Sequence, residues 1–213
     1  MTSSILETNL AEWIIHGLQK NQHGATFFPL TMKDGKNKPR IQIGNEPLRV
    51  PFGPSSCSDS SKQSLDYSLK NPDTIKFVGS INEMVLAWAE KNIELIFPKR
   101  KMNKDMIKEA YCPLLQQKSD YDPILKTKIM SSAIVYKNEI DSTGGSYVKA
   151  CVEDITPASE VLPVITFDRI WVMSGTRFGL TAITVAGCLW LKKEKDFSDI
   201  FPFFAQEVMC RAG

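Results

Sequence analysis

The sequence contains few of the residues from which catalytic and metal sites are built. Its 213 residues include two histidines, and its five cysteines are scattered without a CxxC pair. Because zinc sites need three or four converging ligands, we expect His16 and His23 to bind no metal. An odd number of dispersed cysteines is typical of free thiols in a reducing compartment rather than of a disulfide framework. No cofactor is expected.

Catalytic motifs are missing as well. The chain lacks the GxxxxGK[ST], HExxH and GxSxG patterns. With only two histidines, proton transfer would have to depend on carboxylates or lysines, and nothing in the sequence pairs these. Asp120 and Asp122 flank Tyr121, but aspartates in a proline turn more often cap backbone N–H groups than bind a cation. We therefore expect a protein that is not an enzyme.

The chain also lacks long apolar runs and a large excess of one charge. No stretch approaches the about 20 apolar residues of a transmembrane helix, and the first residues lack the basic-then-apolar pattern of a secretory signal. We expect a soluble, intracellular protein with no membrane partner. The net charge is only +2, so binding to a nucleic acid would have to depend on local clusters of basic residues.

What the chain does contain is a series of short segments in which apolar and polar residues alternate, which predicts β-strands. An S-x-x-E capping box predicts a helix over Ser80–Phe97, with Val85, Trp88 and Ile96 facing inward. Strands and helices do not alternate regularly. The pattern therefore favours a mainly β (α+β) fold, an OB-fold-like antiparallel β-barrel with inserted and flanking helices.

We predict a single OB-fold-like domain over residues 1–213. An amphipathic pattern over residues 4–20 predicts a helix within an N-terminal extension, residues 1–25. The serine-rich stretch 54–72 predicts a surface loop. Residues 194–213 are an apolar C-terminal tail, and its clustered phenylalanines predict a homo-oligomer.

The most specific binding pattern follows the Asp122-Pro123 turn. From Leu125 onward the residues alternate, so that Lys126 and Lys128 share one face of a strand. Basic side chains beside aromatic rings suit a phosphate backbone with stacked bases. The candidate nucleic-acid-binding residues combine these two types of side chain: Lys33, Lys36, Lys38, Arg40, Lys101, Tyr121, Lys126, Lys128, Tyr136, Trp171, Arg177 and Phe178.

These residues also have purely structural interpretations. The lysine-rich hairpin at 33–40 can serve to protect an edge strand. The basic run that includes Lys101 can be a solvated surface between two helices. Each aromatic candidate has a core position as its alternative. For Trp171 the two interpretations are nearly balanced, because it alternates with Ile170 and Val172.

Three stretches of the chain resemble the single-stranded DNA-binding proteins of large nucleocytoplasmic DNA viruses, which are distantly similar to phage replication single-strand-binding proteins. The stretches are AWAEKN at 87–92, YCPLLQQKSDYDPILKTKI at 111–129 and IWVMSGTRFGLTAITVAGCLWLKK at 170–193. The resemblance covers residues 26–193. The chain departs from the phage relatives in its tail: it ends in the apolar FFAQEVMCRAG, whereas they carry an acidic tail that ends in an aromatic residue.

The resemblance implies an OB-fold core that binds single-stranded DNA without sequence preference in viral replication, recombination or repair. It also implies replication proteins as partners and the host cytoplasm or nucleus as the location. Two other classes stay open. One is a β-barrel assembly protein that oligomerises without nucleic acid, and the weaker one is an enzyme with an unrecognised site. Whether the bound strand would be DNA or RNA is open too.

Overall fold

β-Strands are the main secondary structure of the protein in the computed structural model. The described residues are 2–5, 7–56, 62–117, 121–141, 144–173 and 175–190. The predicted apolar tail at 194–213, and with it the basis of the homo-oligomer prediction, lies outside them. Within the described residues the mainly β, α+β class is confirmed.

The elements are as follows. The strands are β1 (Ser3–Ser4), β2 (Trp13–Ile15), β3 (Gln19–Lys20), β4 (Thr26–Met32), β5 (Arg40–Gln42), β6 (Leu48–Arg49), β7 (Ser55–Ser56), β8 (Lys62–Ser68), β9 (Tyr111–Cys112), β10 (Leu115–Gln116), β11 (Ile124–Asp141), β12 (Gly144–Ala150), β13 (Glu160–Met173) and β14 (Arg177–Trp190). The α-helices are α1 (Pro72–Lys91), α2 (Ile93–Ile96) and α3 (Lys104–Ala110), and short 3-10 helices span Leu10–Glu12 and Val152–Asp154.

Five strands form a closed ring of backbone pairings. β13 pairs antiparallel with β6, β6 with β8, and β8 with β11. β11 then pairs parallel with β14, and β14 returns antiparallel to β13. This ring is the small, partly open barrel of an OB-fold, with β6, β8, β11, β13 and β14 as its strands in chain order. The prediction of an OB-fold-like barrel is confirmed, but the barrel is not wholly antiparallel because β11 and β14 run in the same direction.

Alternation in the barrel strands directs apolar side chains inward. In β11, Leu125 and Ile129 are fully buried, whereas Lys126 and Lys128 on the other face are exposed. β8 behaves in the same way, since Leu65 and Tyr67 are fully buried in a stretch that was predicted to be a loop. The prediction for residues 54–72 is therefore wrong over 62–68, where pairing with β11 outweighs the polar local composition.

The long helix begins earlier than the capping box predicts. Asn71 is its N-cap, and the Asn71 side-chain oxygen accepts from the backbone N–H of Asp73 at 2.9 Å. Pro72 occupies the first helical position, where the missing N–H has no cost. Ser80 lies inside the helix, and its hydroxyl donates to the Phe77 carbonyl at 2.8 Å. A helix start at Ser80 is therefore wrong.

The predicted N-terminal helix is also wrong. The described residues of the stretch 4–20 contain short strands and one 3-10 helix instead of an α-helix. β2 pairs with β4, and Trp13 is buried against Phe167 with their ring centroids 5.0 Å apart. Strand pairing and the burial of one tryptophan thus outweigh a helical spacing that is weak on its own.

The helices are inserted between β8 and β11 and lie beside the barrel. Val85 and Ile96 are buried as predicted. Trp88 is half-buried, and its ring meets that of Phe28 edge to face at 4.7 Å. None of the helices in the described ranges is long and apolar enough to cross a membrane.

Replacing Trp88 tests this packing. The Trp88→Ala substitution should lower the free energy of unfolding by about 3 kcal/mol, the lower end for a tryptophan that loses its core contacts. Denaturant unfolding followed by circular dichroism measures the change. Leu95→Ala is the control, because Leu95 is 51% exposed on the neighbouring helix and should change stability by less than about 0.5 kcal/mol. Equal unfolding curves for Trp88→Ala and wild type would contradict the packing.

Candidate nucleic-acid interface

A groove opens on the outer surface of the barrel where β11 and β14 diverge. The two strands pair from Lys128 and Ile183 onward. Before that point β9 pairs with the start of β14, and β10 with the start of β11. Residues 111–116 therefore occupy the gap between the two barrel strands. The groove beside them has a volume of ≈ 510 Å³.

Helix α1 holds residues 111–116, which form one wall of the groove, in place. The Asn82 side-chain oxygen accepts from the Tyr111 hydroxyl at 2.8 Å and from the Leu114 backbone N–H at 3.2 Å. The Leu114 carbonyl in turn accepts from the Lys126 backbone N–H at 2.9 Å. Burial raises the pKa of Tyr111, so its hydroxyl stays protonated as the donor. Sequence reasoning assigned Asn82 only to a capping box and missed this role.

Three of the predicted binding residues line the same groove: Lys126, Lys128 and Trp171. The lysines project outward from β11, and Trp171 projects outward from β13 on the far side of β14. The groove thus has two cations on one side and an indole on the other. The alternation on β11 predicted the pair of lysines, but no sequence pattern indicated that Trp171 would meet them.

Trp171 lies directly against the backbone of β14. It is paired across the strands with Gly179. A Cβ atom at Gly179 would lie 2.8 Å from Trp171 Cζ2 and 2.9 Å from the Cys112 carbonyl oxygen. Cβ atoms essentially never lie this close to a non-bonded heavy atom, so a side chain at position 179 would displace the indole from this position. Trp171 is half-buried, and part of its ring faces the groove.

A second aromatic platform lies next to Trp171 and was missed by the sequence analysis. Phe27 of β4 is paired with Trp171. The Arg169 guanidinium carbon lies 4.4 Å from the Phe27 ring centroid, a cation–π contact. The sequence did indicate the cation of this platform. Arg169 lies two residues before Trp171 in one strand, so the two side chains must share an outward face.

Arg40 belongs to the same outer face as the groove. Its partner across β5 and β13 is Thr166, Thr166 is paired with Ile183, and Ile183 is paired with Lys128. The four residues form one row across four strands. Three strand spacings separate Arg40 from Lys128, about 14 Å along the sheet. The exposed guanidinium therefore extends the positive face beyond the groove.

Lys38 has a different role from the one predicted. Its ammonium group forms an ion pair with Asp168, whose side chain is only 5% exposed. Arg169 Nε also donates to Asp168, at 2.5 Å. Burial alone would raise the pKa of Asp168, but the hydrogen bonds from Lys38 and Arg169 outweigh it and lower the pKa. Lys38 thus neutralises a buried carboxylate and is not a freely available phosphate ligand.

The structure corrects the prediction that Phe178 is a nucleic-acid-binding residue. Phe178 is fully buried, with its ring 5.2 Å from that of Tyr111 and 5.9 Å from that of Phe97. Phe178 and Trp171 lie on opposite faces because their positions alternate along the β13–β14 ladder. Phe178 is therefore a core residue and cannot stack on a base.

The remaining candidates lie at different distances from the groove. Arg177 is exposed two residues before Gly179 and shares its outward face, and Tyr121 is 76% exposed in the turn between β10 and β11. Tyr136 lies farther along β11 and is 44% exposed. The last three predicted lysines are exposed but outside the groove lining: Lys33 and Lys36 at the β4–β5 tip, and Lys101 between α2 and α3.

One acidic side chain faces the positive surface. Asp66 of β8 is paired with Lys126 of β11, and the Ser64 hydroxyl donates to its carboxylate at 3.4 Å. Burial raises the pKa of Asp66, while the charge of Lys126 lowers it to a smaller degree. A phosphate that approaches Lys126 must therefore compete with this carboxylate.

The described part of the chain holds no group of three or more histidine, cysteine, aspartate or glutamate side chains that could bind a metal ion. Its three cysteines, Cys112, Cys151 and Cys188, are free thiols. What the geometry provides is a concave surface with fixed cations and aromatic faces. Such a surface is suited to binding a ligand that carries both anionic groups and planar rings.

The fold and the groove together define an OB-fold protein with a basic, aromatic-lined outer face. No family model matches the sequence, and no curated protein matches it. The solved structures to which the chain is similar include gp2.5, a single-stranded DNA-binding protein encoded by bacteriophage T7, at 12% identity and a TM-score of 0.46 over 78% of this chain and 94% of that one.

The single-stranded DNA-binding protein of bacteriophage Enc34 is similar at 12% identity and a TM-score of 0.38, over 84% of this chain and 90% of that one. The same phage protein in complex with single-stranded DNA matches with the same identity and TM-score, over 84% of this chain and 97% of that one. These are phage proteins. The resemblance to the proteins of nucleocytoplasmic DNA viruses stays a prediction.

The buried carboxylate beside the interface predicts a pH dependence of stability. Because the pKa of Asp168 is lower in the folded than in the unfolded state, its contribution is present above the unfolded value, about 3.9, and is lost as the pH falls. The free energy of unfolding of Asp168→Asn should therefore depend less on pH than that of wild type between about pH 5 and pH 2. Urea unfolding at a series of pH values measures this. The exposed Glu109→Gln variant controls for the loss of one negative charge. Parallel pH profiles for Asp168→Asn and wild type would contradict the ion-pair assignment.

Proposed function

We propose that the protein binds single-stranded DNA in the groove between β11 and β14, without sequence preference. The observation that carries this proposal is the convergence of Lys126, Lys128 and Trp171 on one groove. Every nucleotide offers a phosphate and a π-face whatever its base, so cations and aromatic rings together bind any sequence.

The position of Trp171 favours a single strand over a duplex. The indole is recessed against the β14 backbone and is flanked by residues 111–116. An unpaired base can turn into such a recess and stack, whereas the bases of a duplex are already stacked on one another. Trp171, with the neighbouring Phe27 and Arg169, offers consecutive planar surfaces for successive bases.

The place of the groove in the barrel agrees with this proposal by analogy. OB-folds in general bind oligonucleotides on the face of their second and third strands and at the loops that flank it. Here those strands are β8 and β11, and β11 carries both lysines. The connection between β13 and β14 corresponds to one of the flanking loops, and Arg177 begins the strand that follows it.

The biological setting is also a proposal. A binder of single strands without sequence preference would protect strands exposed in DNA replication, recombination or repair, and a viral origin is supported by the sequence resemblance. In that setting we propose that the protein forms a homo-oligomer and meets replication proteins. Because the net charge is only +2, self-association along the strand would raise the affinity beyond that of one copy.

The lysine pair predicts a specific salt dependence. Each phosphate contact on a single strand contributes roughly −0.7 to the slope of log K against log salt. The double variant Lys126→Ala/Lys128→Ala should therefore flatten this slope by about 1.4. Fluorescence anisotropy with a labelled oligothymidine at several salt concentrations measures it.

A double variant on the helices provides the matched control for the lysine pair. Lys91→Ala/Lys108→Ala removes the same charge from exposed positions on α1 and α3 and should leave the slope nearly unchanged. An equal effect of the two double variants would show that only net charge matters. Absence of wild-type binding at low salt, or a preference for duplex DNA, would overturn the proposed function.

Trp171 should act through stacking and not through charge. Trp171→Ala should weaken binding by about 1–3 kcal/mol and leave the salt slope unchanged. Trp171→Phe keeps an aromatic face and should recover part of the affinity. Anisotropy titrations, with circular dichroism melting as a check on folding, measure both. If Trp171→Ala lowers the melting temperature without weakening binding at a temperature where it is folded, the stacking role is wrong.

A further inference from the structure

A hairpin arm extends from the barrel along the strand that carries the two groove lysines. β11 is 18 residues long, and its second half pairs with β12 on one side and with β14 on the other. We call residues 134–141 and 144–150 the arm. Its outward face is separate from the groove lining and is not used in the proposed function above.

Two cross-strand rows place aromatic and basic residues together on this face. Trp190 is paired with Asn138, and Asn138 with Tyr147. In the adjacent row Tyr136 is paired with Lys149. Residues directly opposite one another share a face, and so do residues two apart on one strand. Trp190, Tyr136, Tyr147 and Lys149 therefore form one surface.

Three of these four side chains are exposed, whereas Trp190 is half-buried and Asn138, between Trp190 and Tyr147, is buried. Tyr136 is 44% and Tyr147 is 65% exposed, and Lys149 is exposed as well. On the opposite face at the base of the arm, Val135 and Ala150 are buried. The Lys137 ammonium lies 3.2 Å from an Asp154 carboxylate oxygen and ties that face to the 3-10 helix. The arm is thus held to the barrel by one face and presents its aromatic face outward.

The arm face is continuous with the groove. The parallel pairing of β11 and β14 begins with Lys128 and Ile183 beside the groove, is interrupted by a register shift between Ile129 and Ile134, and then runs to Asn138 and Trp190 on the arm. The distance along β14 from Ile183 to Trp190 is about 23 Å, at 3.3 Å per residue. A strand that leaves the groove past Lys128 can therefore follow this ladder to the arm.

We propose that the outward face of the arm binds the continuation of the same DNA strand that occupies the groove, so that the complete binding site spans both. This rests on the proposed function. Tyr136, Tyr147 and Trp190 supply faces on which bases stack, and Lys149 supplies a cation for a phosphate.

The composition of this face favours a DNA strand over a second copy of the chain. Lysine is depleted in the centres of protein–protein interfaces, and here Lys149 lies directly opposite Tyr136 and two residues from Tyr147. The aromatic rings and Lys149 repeat the chemistry of the groove, and the half-buried Glu160, paired with Trp190, adds one carboxylate at the edge of this face. The direction of β11 also aligns the two surfaces end to end.

The test compares a short with a long oligonucleotide. An OB-fold covers roughly 4–16 nucleotides, so an oligothymidine of about 6 nucleotides fills the groove alone and one of about 20 can reach the arm. The double variant Tyr147→Ala/Lys149→Ala should bind the short oligonucleotide like wild type. Its affinity for the long one should fall about 10- to 100-fold, and the salt slope for the long one alone should flatten by about 0.7.

Matched variants separate the arm from the fold and from the groove. Val148→Ala changes an exposed residue on the opposite face of β12 and should leave both affinities unchanged. Tyr147→Phe should retain the binding of wild type. The groove variant Lys126→Ala/Lys128→Ala should weaken binding to both lengths.

Each result of the oligonucleotide comparison either supports the proposed role of the arm or overturns it. Loss restricted to the long oligonucleotide supports the proposal. An unchanged long-oligonucleotide affinity, or an equal loss at both lengths, overturns it while the groove function stands. A change in sedimentation coefficient without a length-dependent loss would assign the face to a second copy of the chain and overturn it too. If wild type binds neither oligonucleotide, the proposed function itself fails, and this inference with it.

Discussion

The late start of the parallel pairing between β11 and β14 is the constraint on which the rest of the structure depends. Two strands that met along their whole length would close the barrel with a continuous wall. Because they meet only from Lys128 and Ile183 onward, residues 111–116 fill the opening and one edge remains concave. Asn82 fixes that insert to α1 through two hydrogen bonds. The inserted helix is thus a support for the groove as well as part of the core.

Much of the fold could be predicted because local patterns and tertiary structure agree. The alternation from Leu125 to Lys128 is strict, and the structure follows it. The failures came where two signals competed. Ser80 begins a good capping box, but the Asn71-Pro72 pair eight residues earlier is a stronger start because both residues satisfy the helix terminus. Around Trp13 a helical spacing was overridden by strand pairing.

The binding face was predictable only as separate pieces. Alternation gives the face of each residue within its own strand, so Lys126 and Lys128 could be paired with each other. It does not say which strands become neighbours, and the convergence of those lysines with Trp171 depends on β14 lying between β11 and β13. Lys38 was misjudged for the same reason. Its partner Asp168 is 130 residues away in sequence and belongs to a strand whose position is set by the complete barrel.

Neighbouring strands of the five-strand ring are joined by very different numbers of residue pairs. β13 and β14 are joined by a ladder of thirteen residue pairs, whereas β6 and β8 are joined by the single pair Arg49 and Ser68. The β6–β8 edge, held by one backbone pair, opens at a small free-energy cost while the β13–β14 ladder stays paired. Backbone amides of β6 should therefore exchange with solvent through frequent local opening, and those at the centre of β13 only when the whole barrel unfolds. Local opening is therefore expected at the β6–β8 edge, on the side away from the parallel strand pair.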